Sequence, residues 1–266
     1  MPLSVCATPI GNLKDVTLRV LDELRRAEVV LCEDTRQTRK LLERHGIRVS
    51  LLSYHQHNEA ARTAEILPRL QQGEEIALVS DAGLPGVNDP GARLIAAAVE
   101  AGIPVTVLPG PSAVETALVV SALGAERYQF LGYLPRGEKA LGALWEELGR
   151  WPYAVVAFES PQRLPQSLAG LASVHPERRV AVCRELTKRF EEVVRGSASE
   201  VAARFSKPPK GEITLVIGPA AVRADQAEAL AAVAELIALG VGRRQAADLV
   251  SRLTGAPRNR LYRESL

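Results

Sequence analysis

Short β-branched runs that alternate with longer amphipathic stretches restrict this chain to very few architectures. Leu3–Thr8, Val29–Glu33, Ile76–Ser80 and Val105–Leu108 read as buried strands. Between them, Thr17–Ala27, Arg36–His45, Glu59–Gln72 and Gly91–Ala101 carry apolar residues at three-to-four spacing, which predicts helices. Such alternation calls for a mostly parallel sheet covered on both faces. The pattern changes after about Gly124. Strands are expected at Tyr128–Gly132, Ala154–Glu159, Arg179–Arg184, Glu191–Gly196 and Glu212–Ile217, with helices near Glu138–Gly149 and Arg163–Ser173. Two strands close together around Glu185–Glu191 predict a hairpin and a mixed sheet. Beyond Gln226 only helices are expected: Gln226–Leu239, Arg243–Leu253 and a last one from Arg258 after the break Gly255-Ala256-Pro257, a helix-turn-helix-like arrangement. The 266 residues therefore divide into an N-terminal α/β domain at 1–124, a second α/β domain at 125–220 and a C-terminal helical, arginine-rich segment at 221–266.

Bulk properties mainly exclude. Hydrophobic residues at 47% and charged residues at 24% give an ordinary globular balance. A net charge of +2, from 33 basic and 31 acidic side chains, is too small to identify a nucleic-acid binder. Cys6, Cys32 and Cys183 lie far apart, without metal-ligand spacing, as reduced thiols of a cytoplasmic protein do. Met1–Thr8 lacks the form of a signal peptide, and charged residues interrupt every apolar run before the roughly 18 residues a membrane span requires. A soluble, cytoplasmic protein with no membrane partner is expected.

Three predicted strands end in loops of small or turn-forming residues: Thr8–Asn12, Ser80–Gly86 and Pro109–Ala113. Ligands of open α/β sheets bind where such strand-end loops converge. No GxGxxG follows the first strand and no GxxxxGK[ST] occurs, so neither a dinucleotide fingerprint nor a triphosphate cradle is present. The loops are poor in lysine and arginine. Asp81 at a strand end instead suits a ligand with a cationic centre or an amino group, and S-adenosyl-L-methionine has both.

The motifs VSDAGLPGVNDPG (Val79–Gly91), VLPGPSA (Val107–Ala113), CEDTRQT (Cys32–Thr38), SYHQHNE (Ser53–Glu59), FLGYLPR (Phe130–Arg136), ESPQRL (Glu159–Leu164) and RELTKRFEE (Arg184–Glu192) occur in order over nearly the whole chain. Together they resemble the tetrapyrrole-methylase superfamily and, within it, the small-subunit ribosomal RNA methyltransferase I family, which methylates a ribose 2′-hydroxyl of a cytidine in the decoding region of 16S rRNA. The resemblance implies two α/β domains of the tetrapyrrole-methylase type, S-adenosyl-L-methionine folded in the cleft between them, and a homodimer. It places Pro9, Asp81, Gly83, Leu84, Ser112 and Ala113 at the cofactor from the first domain, and Phe158, Leu186 and Thr214 from the second. Two positions depart from the family pattern. Leu84 stands where threonine is usual, and Gln162 replaces the histidine of ESPHR, which argues against an essential imidazole there.

Methylating a ribose hydroxyl calls for a base or a cation near the acceptor oxygen. Glu33, Asp34, Glu159 and Lys188 are polar residues at or just after strand ends and are the candidates. Asp34 equally fits a helix cap before Arg36, and Lys188 equally fits a solvated turn. His55 and His57 lack a third ligand for a metal, so no metal is expected and RNA contact or loop structuring suits them better. Arg36, Arg163 and Arg184 lie within the quoted motifs as further RNA candidates. From Val241 to Leu266, Arg243, Arg244, Arg252, Arg258, Arg260 and Arg263 face only Asp248 and Glu264, which makes Arg258 and Arg260 candidate phosphate contacts. With aromatic residues at only 4%, the expected partner is folded 16S rRNA within the small ribosomal subunit. The alternatives are methylation of a tetrapyrrole precursor and a non-catalytic RNA-binding role in ribosome assembly.

Overall fold

A computed structural model describes residues 2–220 and 226–265. Five strands, β1 (Leu3–Cys6), β2 (Val29–Cys32), β3 (Ser50–Ser53), β4 (Ile76–Val79) and β5 (Val105–Leu108), form one sheet of order β3-β2-β4-β1-β5. Every pairing in it is parallel. The connections are the helices α1 (Leu18–Arg26), α2 (Thr35–Arg44), α3 (Glu59–Gln71) and α4 (Ala92–Glu100). Because strand side chains alternate, Leu3, Val5, Leu31 and Leu78 pack with Ile66 of α3 and Leu94 of α4. Cys6, Val30, Cys32 and Val79 point the other way, onto Leu21 of α1 and Leu42 of α2. The two buried faces expected from the sequence are present.

The second sheet has the order β6-β7-β10-β8-β9. Its strands are β6 (Tyr128–Tyr133), β7 (Ala154–Glu159), β8 (Arg179–Arg184), β9 (Glu192–Ser197) and β10 (Ile213–Ile217), with helices α6 (Glu138–Leu148), α7 (Leu164–Val174) and α8 (Ala198–Arg204) in sequence among them. Only β6 and β7 are parallel, so the sheet is mixed, and β8 and β9 form the expected hairpin. Trp145 of α6, Leu168 of α7 and Val201 of α8 cover one face. The other face is covered by a helix of the preceding segment, α5 (Ala113–Ser121). It follows the last parallel strand, yet its Val114, Ala117 and Leu118 pack on Val156, Ala181 and Val216 of the mixed sheet. This helix brings the carboxyl ends of the parallel strands against the second sheet.

Three helices, α9 (Gln226–Ala238), α10 (Arg243–Thr254) and α11 (Arg258–Glu264), close on a small core of their own around Val233, Val250 and Leu261. Gly255 ends α10 with φ 74°, a left-handed cap that suits glycine. The division expected between 220 and 221, like Met1 and Leu266, lies outside the described residues. Among the described residues no helix is long and apolar enough to cross a membrane.

Trp145 is 1% exposed at the centre of the second core. Trp145→Ala is expected to lower stability by about 3–5 kcal/mol, seen as a lower urea midpoint with little change in the denaturant slope.

Candidate active site

The loops after β1, β2 and β4 are tied into one rim. Thr8 and Gly83 exchange backbone hydrogen bonds, Thr8 N–H to the Gly83 carbonyl at 2.8 Å and Gly83 N–H to the Thr8 carbonyl at 3.0 Å. The Thr8 hydroxyl donates to the Ser80 carbonyl at 3.0 Å, and the Ser80 hydroxyl donates to the Gly83 carbonyl at 3.1 Å. Asp81 accepts from the Asp34 N–H at 3.0 Å, which joins the β2 loop to the β4 loop. Gly83 sits at φ 81°, a conformation open to glycine with little strain.

The second sheet closes on this rim at two points. A Cβ on Gly11 would lie 2.5 Å from Lys188 Cγ and 2.9 Å from the Leu186 carbonyl, so only glycine lets the β1 loop approach this turn. There the Asn12 N–H donates to Thr187 Oγ1 at 3.1 Å. The turn itself holds Glu185 at φ 52° and Thr187 at φ 65°, conformations that cost side-chain-bearing residues some strain. At the second point a register shift between Phe130 and Tyr133 re-aims β6. A Cβ on Gly132 would lie 2.7 Å from Asn88 Oδ1, and Gly132 sits at φ 67°, a conformation that favours glycine.

Two linked cavities lie between these walls. The larger, of about 540 Å³, is lined by apolar Ile10, Ala113, Phe158 and Leu186, by Tyr133 and Thr214, and by the carboxylates of Glu33, Asp81, Asp89, Glu159 and Glu212. The smaller, of about 410 Å³, shares Ile10, Asp81, Ala82 and Glu212 with it and adds Pro9, Gly11, Lys40 and Lys188. Burial, with Glu33 and then Asp81 as like-charged neighbours, pushes Asp89 up to about 6 against a stabilising hydrogen bond from Ser80. Burial likewise raises Glu33, with Asp81 adding to it, and raises Asp81. Apolar surface beside Glu33, Asp81 and Asp89, carboxylates whose charge burial disfavours, suits a partly apolar ligand that carries a positive centre, and the volume fits a ligand of cofactor size.

The structure brings Glu33, Asp81, Ala113, Phe158, Glu159, Leu186 and Thr214 to the larger cavity and Pro9 and Lys188 to the smaller. Glu159 is 2% exposed and accepts from the Ser167 hydroxyl and the Ser160 N–H, with Arg163 at 3.3 Å. Arg163 also donates to the Leu134 carbonyl at 2.9 Å and to the Pro135 carbonyl, so it ties β6 to α7 from a half-buried position. Asp34 caps α2 and is held by Arg36 at 2.7 Å, and that hydrogen bonding pulls its carboxyl down to about 2. Lys188 spans Glu185 at 2.9 Å and Glu212 at 3.0 Å. Burial opposes its charge, but these partners outweigh it and hold the ammonium above its ordinary value. Gly83 belongs to the rim, and Ser112 precedes α5 with its hydroxyl on Glu115. Leu84 turns its side chain onto the core around Leu78 and Leu94 and lines neither cavity.

The remaining RNA candidates line neither cavity. The His55 and His57 rings meet edge to face at 6.0 Å. Arg184 is held by Glu192 at 3.0 Å and the Lys210 carbonyl at 3.1 Å. Arg258 pairs with Asp248 and Arg260 with Glu264, both at 2.8 Å. Among the described residues no three histidine, cysteine, aspartate or glutamate side chains form a metal-ligand set. Asp89, Tyr133, Ile10 and Glu212 are cavity residues the sequence reading did not single out. Asp89 stood in plain view inside VSDAGLPGVNDPG, whereas Tyr133 depended on a strand irregularity that no local pattern marks.

The tetrapyrrole (corrin/porphyrin) methylase family matches residues 2–202. A ribosomal RNA small subunit methyltransferase I from Micromonospora olivasterospora is 43% identical over 98% of this chain and 85% of its own length. The protein of that name from Thermotoga maritima is 42% identical over 81% of this chain and 97% of its own. The chain belongs to the ribosomal RNA small subunit methyltransferase I family. It is thereby a methyltransferase that depends on S-adenosyl-L-methionine, within the tetrapyrrole methylases. Among solved structures, the methyltransferase CobJ shares the fold, with a TM-score of 0.63 and 18% identity over 82% of this chain and 94% of that one.

In this family member, Gly11→Ala is expected to force the β1 loop and the Lys188 turn apart. Overpacking of this kind costs about 1–3 kcal/mol, so affinity for S-adenosyl-L-methionine by calorimetry should fall by about tenfold while far-UV circular dichroism stays unchanged.

Proposed function

We propose that the protein methylates the ribose 2′-hydroxyl of a cytidine in the decoding region of 16S rRNA, within the small ribosomal subunit, as a cytoplasmic homodimer. The observation that carries this reading is the convergence of Glu33, Asp81 and Asp89 on one cavity walled by Ile10, Phe158 and Leu186, in a chain 43% identical to a protein named for ribosomal RNA methylation.

S-adenosyl-L-methionine, when bound, supplies a methyl group activated by positive sulfur. The chain's own residues have three tasks. Ile10, Ala113, Phe158 and Leu186 cover the apolar part of the cofactor and keep water from it, while Asp81, Pro9, Ser112, Thr214 and the backbone around Gly83 and Leu84 fix its polar ends. Holding acceptor oxygen and methyl carbon in line is worth roughly 7–11 kcal/mol in well-oriented systems. Glu33 and Asp89, both raised by burial, are suited to accept the hydroxyl proton near neutral pH. Asp34, pulled down to about 2, is a poor acceptor and serves as a cap, and Glu159 positions α7 through Ser167 and Arg163. Lys188, in the adjoining cavity, offers its ammonium to the acceptor strand. His55, His57, Arg36 and Arg184 are candidate RNA contacts outside the cavity, with Arg258 and Arg260 in the helical segment. For the homodimer, the edge strand β5 offers Val107, 49% exposed, and the neighbouring α4 offers Val99, 61% exposed.

The test is transfer of labelled methyl groups to small subunits from a strain lacking this gene, with the product nucleotide mapped by mass spectrometry. A 2′-O-methylcytidine in the decoding region is expected. Label on a base, or transfer only to a uroporphyrinogen-type substrate, overturns the reading. A pH dependence follows from Asp89. Its raised value means the neutral form favours the free fold, a contribution complete below the ordinary carboxylate range and lost as pH rises through about 6. A cationic ligand prefers the charged form, so binding releases a proton and affinity should rise with pH through about 6. Calorimetry at pH 5 and pH 7.5 is expected to show this rise, and Asp89→Asn should flatten it.

A further inference from the structure

A third cavity, of about 510 Å³, opens on the surface beside the active site. Its walls are the β1 loop, Gly11 to Lys14, the last turn of α2 at Arg44, and the turn Thr187 to Arg189. Gly11, Leu13 and Lys188 line both this groove and the smaller active-site cavity, so the two are continuous. Four of its lining residues are cationic, Lys14, Arg44, Lys188 and Arg189, and none is acidic.

Lys188 is engaged by Glu185 and Glu212. Among the described residues, no ion pair is formed by Lys14, Arg44 or Arg189, all of which are exposed. Arg189 instead lies 5.5 Å from the centre of the Phe190 ring, which is itself 65% exposed. In the C-terminal segment the proposed contacts Arg258 and Arg260 already have carboxylates at 2.8 Å and Arg243 donates to the carbonyls of Tyr262 and Arg263, while Arg244, Arg252 and Arg263 are exposed. An unpaired cation attracts phosphate with its full charge, whereas a paired one must first give up its partner. Length points the same way. The Thermotoga maritima relative aligns over 216 residues, 97% of its length. That accommodates the two sheets, Leu3 to Ile217, but not the three C-terminal helices as well.

We propose that this groove binds the phosphodiester backbone of the RNA strand beside the nucleotide that enters the active site, with Lys14, Arg44 and Arg189 as its phosphate contacts. The inference rests on the RNA-methylating reading above. Phe190, next to Arg189, adds an exposed ring on which an unstacked base can lie, and the shared Lys188 marks where the strand passes from groove to cleft.

The full-length triple variant Lys14→Gln, Arg44→Gln, Arg189→Gln tests it, with wild type and an Arg258→Gln, Arg260→Gln variant beside it. The readouts are KM for undermethylated small subunits over a range of salt, and S-adenosyl-L-methionine affinity by calorimetry. The triple variant is expected to raise KM several-fold and to lower the slope of log KM against log salt by about 2, since each phosphate contact contributes roughly 0.7–0.9. Its cofactor affinity should match wild type, and the C-terminal variant should change the slope less. A triple variant with wild-type KM and slope overturns the groove while leaving the RNA-methylating reading intact. A wild-type protein that transfers no label to RNA overturns that reading and the groove with it.

Discussion

The active site depends on one close approach, between the backbone of Gly11 and the turn from Glu185 to Lys188. A side chain at position 11 would occupy the space of Lys188 Cγ and Thr187 Oγ1, so the distance between the two sheets at this wall is set by the absence of a single methyl group. The contact fixes three things at once. It keeps Leu186 in the larger cavity, it holds Lys188 in the smaller one, and it stabilises a turn with two left-handed non-glycine residues. Gly211 assists from β10's side, where an added Cβ would overlap the Glu185 side chain that accepts from Lys188 and from the Glu212 N–H.

The second constraint is electrostatic. Glu33, Asp81 and Asp89 line one partly buried cavity, and burial raises all three. Removing charge from water is unfavourable unless a partner compensates, and three of the cations nearby are already committed. Arg36 is on Asp34, Arg163 is on Glu159 and two carbonyls, and Lys188 is on Glu185 and Glu212. The unfavourable charge is relieved either by protonation or by a cation that enters from outside, which makes affinity and protonation two readings of one equilibrium.

Much of the fold was legible because its strands are short, β-branched and separated by periodic helices. The parallel sheet, the β8–β9 hairpin and the helical tail all follow from patterns a few residues long. What escaped lacked such a pattern. Ser50–Ser53 has only two apolar residues and becomes an edge strand because β2 offers it a parallel partner. Ala113–Ser121 is apolar nearly all round, and its exposed Val119, at 72%, hides the buried stripe. The seven-residue α8 was too short for periodicity, though Ser197 and Glu200 form a capping box that could have marked it. At the site, residues on loop motifs were readable. Lys14, Arg44 and Arg189 were not, since they come together only when three separate elements meet. The arginine-rich tail shows the opposite failure. Its charge and its two carboxylates, Asp248 and Glu264, are visible in sequence, but that these sit on Arg258 and Arg260 is visible only in space.

Leu84 shows how far a motif can be read side chain by side chain. A hydroxyl is usual there, and its loss would matter if the side chain faced the ligand. The Thr8–Gly83 bridge and the positive φ of Gly83 turn the chain so that position 84 points into the core beneath Leu78 and Leu94, while its carbonyl accepts from the Val87 N–H. A leucine there adds apolar contact under the loop and removes nothing from the cavity wall. What the loop offers a ligand is the carboxylate of Asp81 and backbone groups whose direction is set by glycine, and both are unaffected by which side chain follows. The same geometry explains why Asp89, eight residues after Asp81, returns to the cavity: Asn88 at φ 61° and the contact with Gly132 fold the loop back on itself.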